Sequence, residues 1–467
     1  MAPVNSSLTV ELAGFLSSLR IEDIPERARA AARIGMTDCL GTIVAGAREP
    51  APRMVATLVS ETGRNDFAVE IPGGRHLDAA DAALVNGTAA HVLDFDDVAL
   101  AGHPSAVLTP VILALGQSIG SSGQTAVRAY CAGYEVWAQM QLLEPGQLHD
   151  RGFHPTAILG AIASAAAAAV MLDLDCVQSA NALAISASMA AGLAANFGSM
   201  TKSFQVGRSS QAGIQAAVLA KQGFTASTDA LEHPRGFLNA FSPSGKTRTT
   251  LEKPLGQQWR LEEMGVNIKR HPTCYATHRA IDAMLDLVAA HDLVARSVAE
   301  IHVRIGATQQ RMLRNSRPQT GLEAKFSMEF AMTAALLAGR VGLAELSDQF
   351  VRRQDVQACF GTVRVTTTDE KMPGDETFSP RDTVRVVLAD GSSLDHPGIT
   401  HAKGSWQNPL SRQEQYAKFF DCVASRLGED ASQRLFGQLE EIESLADLRS
   451  LAIGAQTPWP NRQRTHA

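Results

Sequence analysis

The most constraining stretch of this 467-residue sequence is Thr156 to Leu172, which carries no charged side chain and is nearly half alanine. A bilayer span needs about 20 apolar residues, so this run sits at the short limit and reads as a helix buried in protein rather than in lipid. From Ala157 to Ala195 the chain is dense in Ala, Gly and Ser. Such small side chains let helix axes approach closely in a central bundle.

Helical signal dominates from Leu8 to about Gly223, where leucine, isoleucine and alanine recur at three- and four-residue spacing between glycines and prolines. After about Pro254 the pattern changes. Ile301-His-Val-Arg-Ile305 alternates apolar and polar residues, Gly361 to Thr368 is rich in Val and Thr, and Thr383 to Leu388 runs into the hairpin-turn dipeptide Asp390-Gly391. These are expected strands. Phe326 to Gly339 lies between them with a helical apolar period, and Ser411-Arg-Gln-Glu414 matches a capping box that opens an amphipathic helix through Tyr416, Phe419, Phe420 and Val423. The expected fold class is mainly α: a discontinuous all-helical bundle domain, residues 1–267 and 403–455, with a smaller α+β domain inserted over 268–402 and a polar tail over 456–467.

A chain of this length suggests roughly two to three domains. With 45% hydrophobic and 19% charged residues it has ordinary globular composition. The net charge of -6 lacks the basic footprint of a general nucleic-acid binder, so any anion site must be a local arrangement of positive groups. Six scattered cysteines without a CxxC pair fit reduced thiols in a cytosol better than a disulfide framework or a structural zinc site. The opening residues Met1 to Ser7 lack the basic and apolar regions of a secretory signal, and the expected location is cytoplasmic.

Four segments carry candidate chemistry. In Asn86-Gly-Thr-Ala-Ala-His91-Val-Leu-Asp94-Phe-Asp96-Asp97, His91 and Asp94 are three apart and are expected to share a helix face. His103 follows in the turn Gly102-His103-Pro104-Ser105, a placement that suits a general acid or base held on a rigid scaffold. The His-x-x-Asp-x-Asp-Asp spacing also offers nitrogen and oxygen ligands to a metal, and helix-capping acids facing solvent are a third reading of Asp96 and Asp97. An aspartate beside an anionic substrate repels it, so Asp94 is expected to orient a histidine instead of touching the substrate.

Arg151-Gly-Phe-His154-Pro-Thr156 directly precedes the alanine-rich helix; Thr156 is the expected cap, and the first amides would attract a carboxylate near His154. A lone turn histidine is more often structural. Gly198 to Ser210 reads as a loop in which Lys202 and Arg208 lie among Gly, Ser and Thr, an arrangement suited to carboxylate binding, while the phosphate-loop spacing is absent. Lys269-Arg270-His271 begins a run to His278 at the expected domain junction, which is either a positive binding rim or a solvated basic turn.

In this order the segments resemble the MmgE/PrpD family, which includes 2-methylcitrate dehydratase, cis-aconitate decarboxylase and iminodisuccinate epimerase, over roughly residues 8 to 450. The specific matches are Asp94-Phe-Asp-Asp97, Gly102-His-Pro-Ser105, Gly152-Phe-His-Pro-Thr156, Thr201-Lys-Ser-Phe204 with Gly207-Arg208, and Lys269 to His278. Ala402-Lys-Gly404 with Asn408-Pro-Leu-Ser411 adds a further match. The resemblance implies a helical bundle with a smaller α+β lid, an electropositive site between them, a homodimer, and no metal or organic cofactor. It also implies that Asp94, His103, His154 and Lys202 form the active site and that Lys269 is a further basic site residue.

Cys274 stands where the decarboxylase pattern has histidine, and Val98 where decarboxylase and dehydratase relatives carry threonine. Both departures argue against simple decarboxylation of cis-aconitate. The expected function is a cofactor-independent, dehydratase-like lyase acting on a small polycarboxylate. His103 and His154 are its expected base and acid, and Lys202, Arg208 and Lys269 its carboxylate holders, with Ser105, His271 and His278 as further substrate-binding candidates. An epimerase of a polycarboxylate such as iminodisuccinate, a decarboxylase, and a non-catalytic ligand-binding helical protein are the alternatives.

Overall fold

The charge-free run is a helix, Pro155–Met171, and all of its residues are buried. The computed structural model in which it is seen describes residues 7–59, 68–71, 74–144, 146–373 and 377–453. Residues 1–6 of the N-terminal stretch read for a secretory signal and the tail from 456 lie outside these. The chain divides into two compact units. The larger takes the described residues up to Val92, Asp96–Val266 and those from Arg412 onward; the smaller takes Leu93–Phe95 and Asn267–Ser411.

The larger unit runs through α1 (Leu8–Ser18), α2 (Glu26–Gly46) and α3 (Pro50–Ala56) to a short antiparallel hairpin of β1 (Ala68–Glu70) and β2 (Arg75–Leu77), which periodicity had not shown. It continues with α4 (Ala79–Val92), α5 (Pro104–Ile119), α6 (Gly123–Leu143), α7 (Pro155–Met171), α8 (Cys176–Ala187) and α9 (Met200–Lys221). Two short helices follow, α10 (Phe237–Phe241) and α11 (Arg260–Met264). α7 is enclosed by α5, α6, α8 and α9, while α9 also lies against α4. Among the described residues no helix is long and apolar enough to cross a membrane.

Small residues set these distances. Gly87 of α4 faces Gly207 of α9 so closely that a Cβ on Gly87 would lie 2.9 Å from the Gly207 Cα, and a Cβ on Gly213 would strike Ser164 and Ala165 of α7. The Gly/Ser-rich segment expected to be a loop from Gly198 to Ser210 is therefore a loop only to Ser199, and Lys202 and Arg208 are helical residues of α9. Its small side chains are packing surface for neighbouring helices, which sequence composition alone does not distinguish from loop composition.

In the smaller unit, α12 (His278–His291), β3 (Val298–Gly306), α13 (Ala307–Met312), α14 (Gly321–Ala324), α15 (Met328–Ala338), α16 (Asp348–Val351) and α17 (Gln354–Cys359) precede β4 (Val363–Thr368), β5 (Thr383–Leu388) and β6 (Ser393–Asp395). The sheet order is β4-β3-β5-β6, with β3 and β4 parallel and the other pairs antiparallel. Ile301, Val303 and Ile305 alternate into a core with Val384, Val386, Ile281, Met284 and Phe330, as a strand with one buried face requires. The larger unit resumes with α18 (Arg412–Leu427) and α19 (Glu429–Glu440).

Candidate active site

Three imidazoles meet in the larger unit. His91 is in the last turn of α4, and His103 and His154 are the N-cap residues of α5 and α7, each followed by proline at the first helical position. Proline is favoured there because it lacks an N–H that would go unpaired, so each His-Pro pair fixes where a helix begins. His154, not Thr156, is the cap of α7, and no side chain caps it.

The turn carrying His103 is strained. Ala99 and Gly102 exchange backbone hydrogen bonds of 3.0 and 2.8 Å around Leu100 and Ala101, whose φ angles are 52° and 54°. Left-handed backbone costs a non-glycine residue about 1–2 kcal/mol. The Trp137 indole N–H donates to the Leu100 carbonyl at 3.3 Å and helps to hold the turn. A Cβ on Gly102 would lie 2.7 Å from the Trp137 ring and 3.1 Å from Thr156 Oγ1, so glycine is required for this approach. The His154 segment is pinned by backbone bonds from His154 N–H to Gly192 and from Ala194 N–H to Gly152.

Ring centroids of His91 and His103 are 4.4 Å apart and those of His91 and His154 6.0 Å. His91 Nδ1 lies 2.9 and 3.1 Å from the two carboxylate oxygens of Asp96. His103 Nδ1 lies 2.8 Å from the Asp97 carbonyl and 3.0 Å from Asp96 Oδ2. His154 Nδ1 lies 2.8 Å from Gln205 Oε1, whose amide N–H donates to the Leu193 carbonyl. A carbonyl oxygen only accepts, so His103 and His154 each carry a proton on Nδ1, and in its neutral form each ring presents a bare Nε2.

Burial pushes His91 down to about 4, with the Lys202 and His103 charges adding to the effect against the attraction of Asp96. His154 is held well below the ordinary imidazole range by burial, then by His91 and Lys202. Burial pushes Asp96 upward, but the two imidazoles outweigh it and hold the carboxyl well below the usual range. Asp97 goes the other way: burial, then the negative charges of Asp96 and Asp38, push it well above the usual carboxylate range.

The structure brings His103, His154 and Lys202 together by these measures. Lys202 lies in the first turn of α9 with its ammonium 5.4 Å from the centre of the Phe197 ring, and Phe197 also packs edge-on to His154. Arg208 is not with them. It is exposed on α9, bonded to Gln211, and its charge acts on Asp81; Asp81 is ten residues before His91 on α4, about 15 Å along the axis. Ser105 is buried, its hydroxyl 2.6 Å from Tyr130 Oη and its N–H donating to Asp97 Oδ1.

Asp94 does not share the face of His91, because α4 stops at Val92 and Asp94 has a φ of 53°. It belongs to the smaller unit, where the buried Lys269 ammonium donates to its carbonyl at 2.7 Å and pairs with its carboxylate at 2.9 Å. His271 and His278 are buried in the same unit, ring centroids 5.2 Å apart, with His271 Nδ1 donating to the Val341 carbonyl and His278 Nε2 to that of Thr273. Sequence reasoning missed His91, Asp96 and Gln205 as partners of the cluster. His91 and Asp96 lay inside the first candidate segment, but their meeting depends on a chain reversal that spacing does not encode.

A buried cluster of imidazoles with fixed protons, an ionised carboxylate and a lysine is the equipment of an acid–base enzyme. The chain belongs to the MmgE/PrpD family: that family's N-terminal domain matches residues 10–250 and its C-terminal domain residues 271–442. Among its relatives is the cis-aconitate decarboxylase of Homo sapiens, 28% identical over 81% of this chain and 80% of that protein. The cis-aconitate decarboxylase of Mus musculus is 27% identical over 94% and 92%, and that of Aspergillus terreus 24% over 83% and 84%.

Proposed function

We propose that the chain is a lyase acting on a small polycarboxylate through side-chain acid–base chemistry, without a metal or organic cofactor. The observation that carries this reading is the set of neighbouring imidazoles with engaged Nδ1 atoms beside Lys202. Neutral imidazoles with bare Nε2 atoms act as bases, and an adjacent ammonium holds a carboxylate and offsets charge developing next to it. His103 serves as base and Lys202 as carboxylate holder; His154 serves as acid once the carboxylates of the bound substrate, by favouring its charged form, have drawn a proton from water onto its Nε2. Lys269, His271 and His278 stay proposed binding residues on the family resemblance, whereas Arg208 and Ser105 lack the placement for it.

The decarboxylase relatives favour decarboxylation of an acid like cis-aconitate. The carbon–carbon bond to one carboxylate breaks, its electron pair stays on the substrate, carbon dioxide leaves, and an imidazolium supplies the replacing proton. Dehydration is the second reading, favoured by Cys274 and Val98. There an imidazole Nε2 takes a proton from carbon beside a carboxylate, while an imidazolium protonates the departing hydroxyl and water leaves.

The test is proton NMR in deuterated water with citrate-like, aconitate-like and iminodiacid compounds. Carbon dioxide release marks decarboxylation, a new alkene dehydration, and deuterium exchange without net loss epimerisation. His103→Ala and Lys202→Ala are each expected to lower turnover on the order of 100-fold or more, and a chelator is expected to leave it intact. Unchanged turnover in both variants would refute the assignment.

A further inference from the structure

Asp94, Asp96 and Asp97 lie within four consecutive positions, and the Asp96 carboxylate reaches two imidazoles at hydrogen-bond distance. It is fully buried, with both oxygens within 3.1 Å of His91 Nδ1 and one oxygen 3.0 Å from His103 Nδ1. The other neighbour of His103 Nδ1 is a carbonyl oxygen, which cannot donate. His103 must therefore keep its proton on Nδ1, and Asp96 receives it as an acceptor. On the other side, His91 Nε2 is buried without a hydrogen-bond partner among the described residues, so Nδ1 is the only ring nitrogen of His91 with a partner to receive its proton.

We propose that Asp96 is the positioning residue of this site: one carboxylate, shared by His91 and His103, fixes both rings as Nδ1–H tautomers and orients the bare Nε2 of His103 for proton transfer. This rests on the acid–base reading given above. When His103 Nε2 takes a proton, the positive charge of the ring is shared with Nδ1–H, directly against Asp96, which stabilises the imidazolium. That is the role a buried aspartate plays for the histidine of a serine-protease triad, where it orients the ring without itself becoming protonated. Here a single aspartate does so for two rings. An asparagine in its place would offer one acceptor and one donor, so it could satisfy one ring and would oppose the Nδ1 proton of the other.

The inference is tested first without substrate. Histidine nitrogen-15 NMR of the wild-type protein near pH 7, assigned with His91→Asn and His103→Asn, is expected to show both rings protonated at Nδ1 and unprotonated at Nε2. An Nε2–H tautomer at His103 would overturn the proposal, and because this readout needs no turnover it stands apart from any failure to find the substrate. On a substrate identified by the NMR panel, Asp96→Asn is expected to lower kcat by roughly 100- to 10,000-fold with KM changed far less, and to convert one of the two rings to the Nε2–H form. A kcat unchanged in a folded Asp96→Asn protein would equally overturn it. Should that variant fail to fold, the wild-type tautomers decide.

Discussion

The close approach of α4 and α9 makes a sharp prediction, because those helices carry His91 and Lys202 respectively. In Gly207→Ala the new Cβ would meet the Leu84 carbonyl oxygen, Thr88 Oγ1 at 2.5 Å and the Thr88 backbone nitrogen at 3.0 Å. Two of the three are backbone atoms, so relief requires the helices to separate. Overpacking of this kind costs about 1–3 kcal/mol, set against a helix-propensity gain of about 1 kcal/mol for alanine over glycine. Gly14→Ala in α1 isolates that gain, since a Cβ there has nothing within 4 Å. In urea denaturation followed by circular dichroism, Gly14→Ala should raise the midpoint and Gly207→Ala should lower it, with unchanged slopes. The packing argument is refuted if Gly207→Ala is as stable as wild type. Because the same separation displaces His91 from Lys202, turnover of Gly207→Ala should also fall even where the protein stays folded.

Lys269→Met leaves the Asp94 carboxylate buried without its cation, since the pair has side-chain exposures of 1% and 9%. The expected cost is about 3–5 kcal/mol, and adding Asp94→Asn should restore more than half of it; strictly additive losses in the double-mutant cycle would contradict the pairing. Glu135, which accepts the N–H groups of Arg260 and Leu261 at 3.0 and 2.9 Å, is pushed up to about 7 by burial despite those donors. A folded-state value above the unfolded one means that the folded protein holds the extra proton, so this stabilisation is full below about 4.5 and is lost as pH rises through about 7. Relative to Glu135→Gln, the wild type should lose about 3 kcal/mol across that window, and a pH-independent difference between the two would show that the carboxyl titrates normally.

Much of the fold is written in local pattern. A charge-free, alanine-rich run had to be buried, and it became α7; the alternation at Ile301 to Ile305 and the Asp390-Gly391 turn gave β3 and the hairpin of β5 and β6. The His-Pro pairs marked the starts of α5 and α7, which is why His103 and His154 were legible as loop histidines next to helix ends. The Gly/Ser-rich start of α9 was misread, because small residues signal a turn and a close helix contact equally well.

The division is clearest at Asp94, Asp96 and Asp97, three carboxyl groups that sequence treats alike. Tertiary structure alone decides that Asp94 pairs with Lys269, that Asp96 is held ionised between His91 and His103, and that burial near other acids pushes Asp97 well upward. The physical reason is that protonation depends on solvation and on charges within a few ångströms, and those neighbours come from residues up to 175 positions away in the chain. The sequence by itself determined which side chains were available for proton transfer. Only the folded chain determined which of them carry a proton, and on which atom.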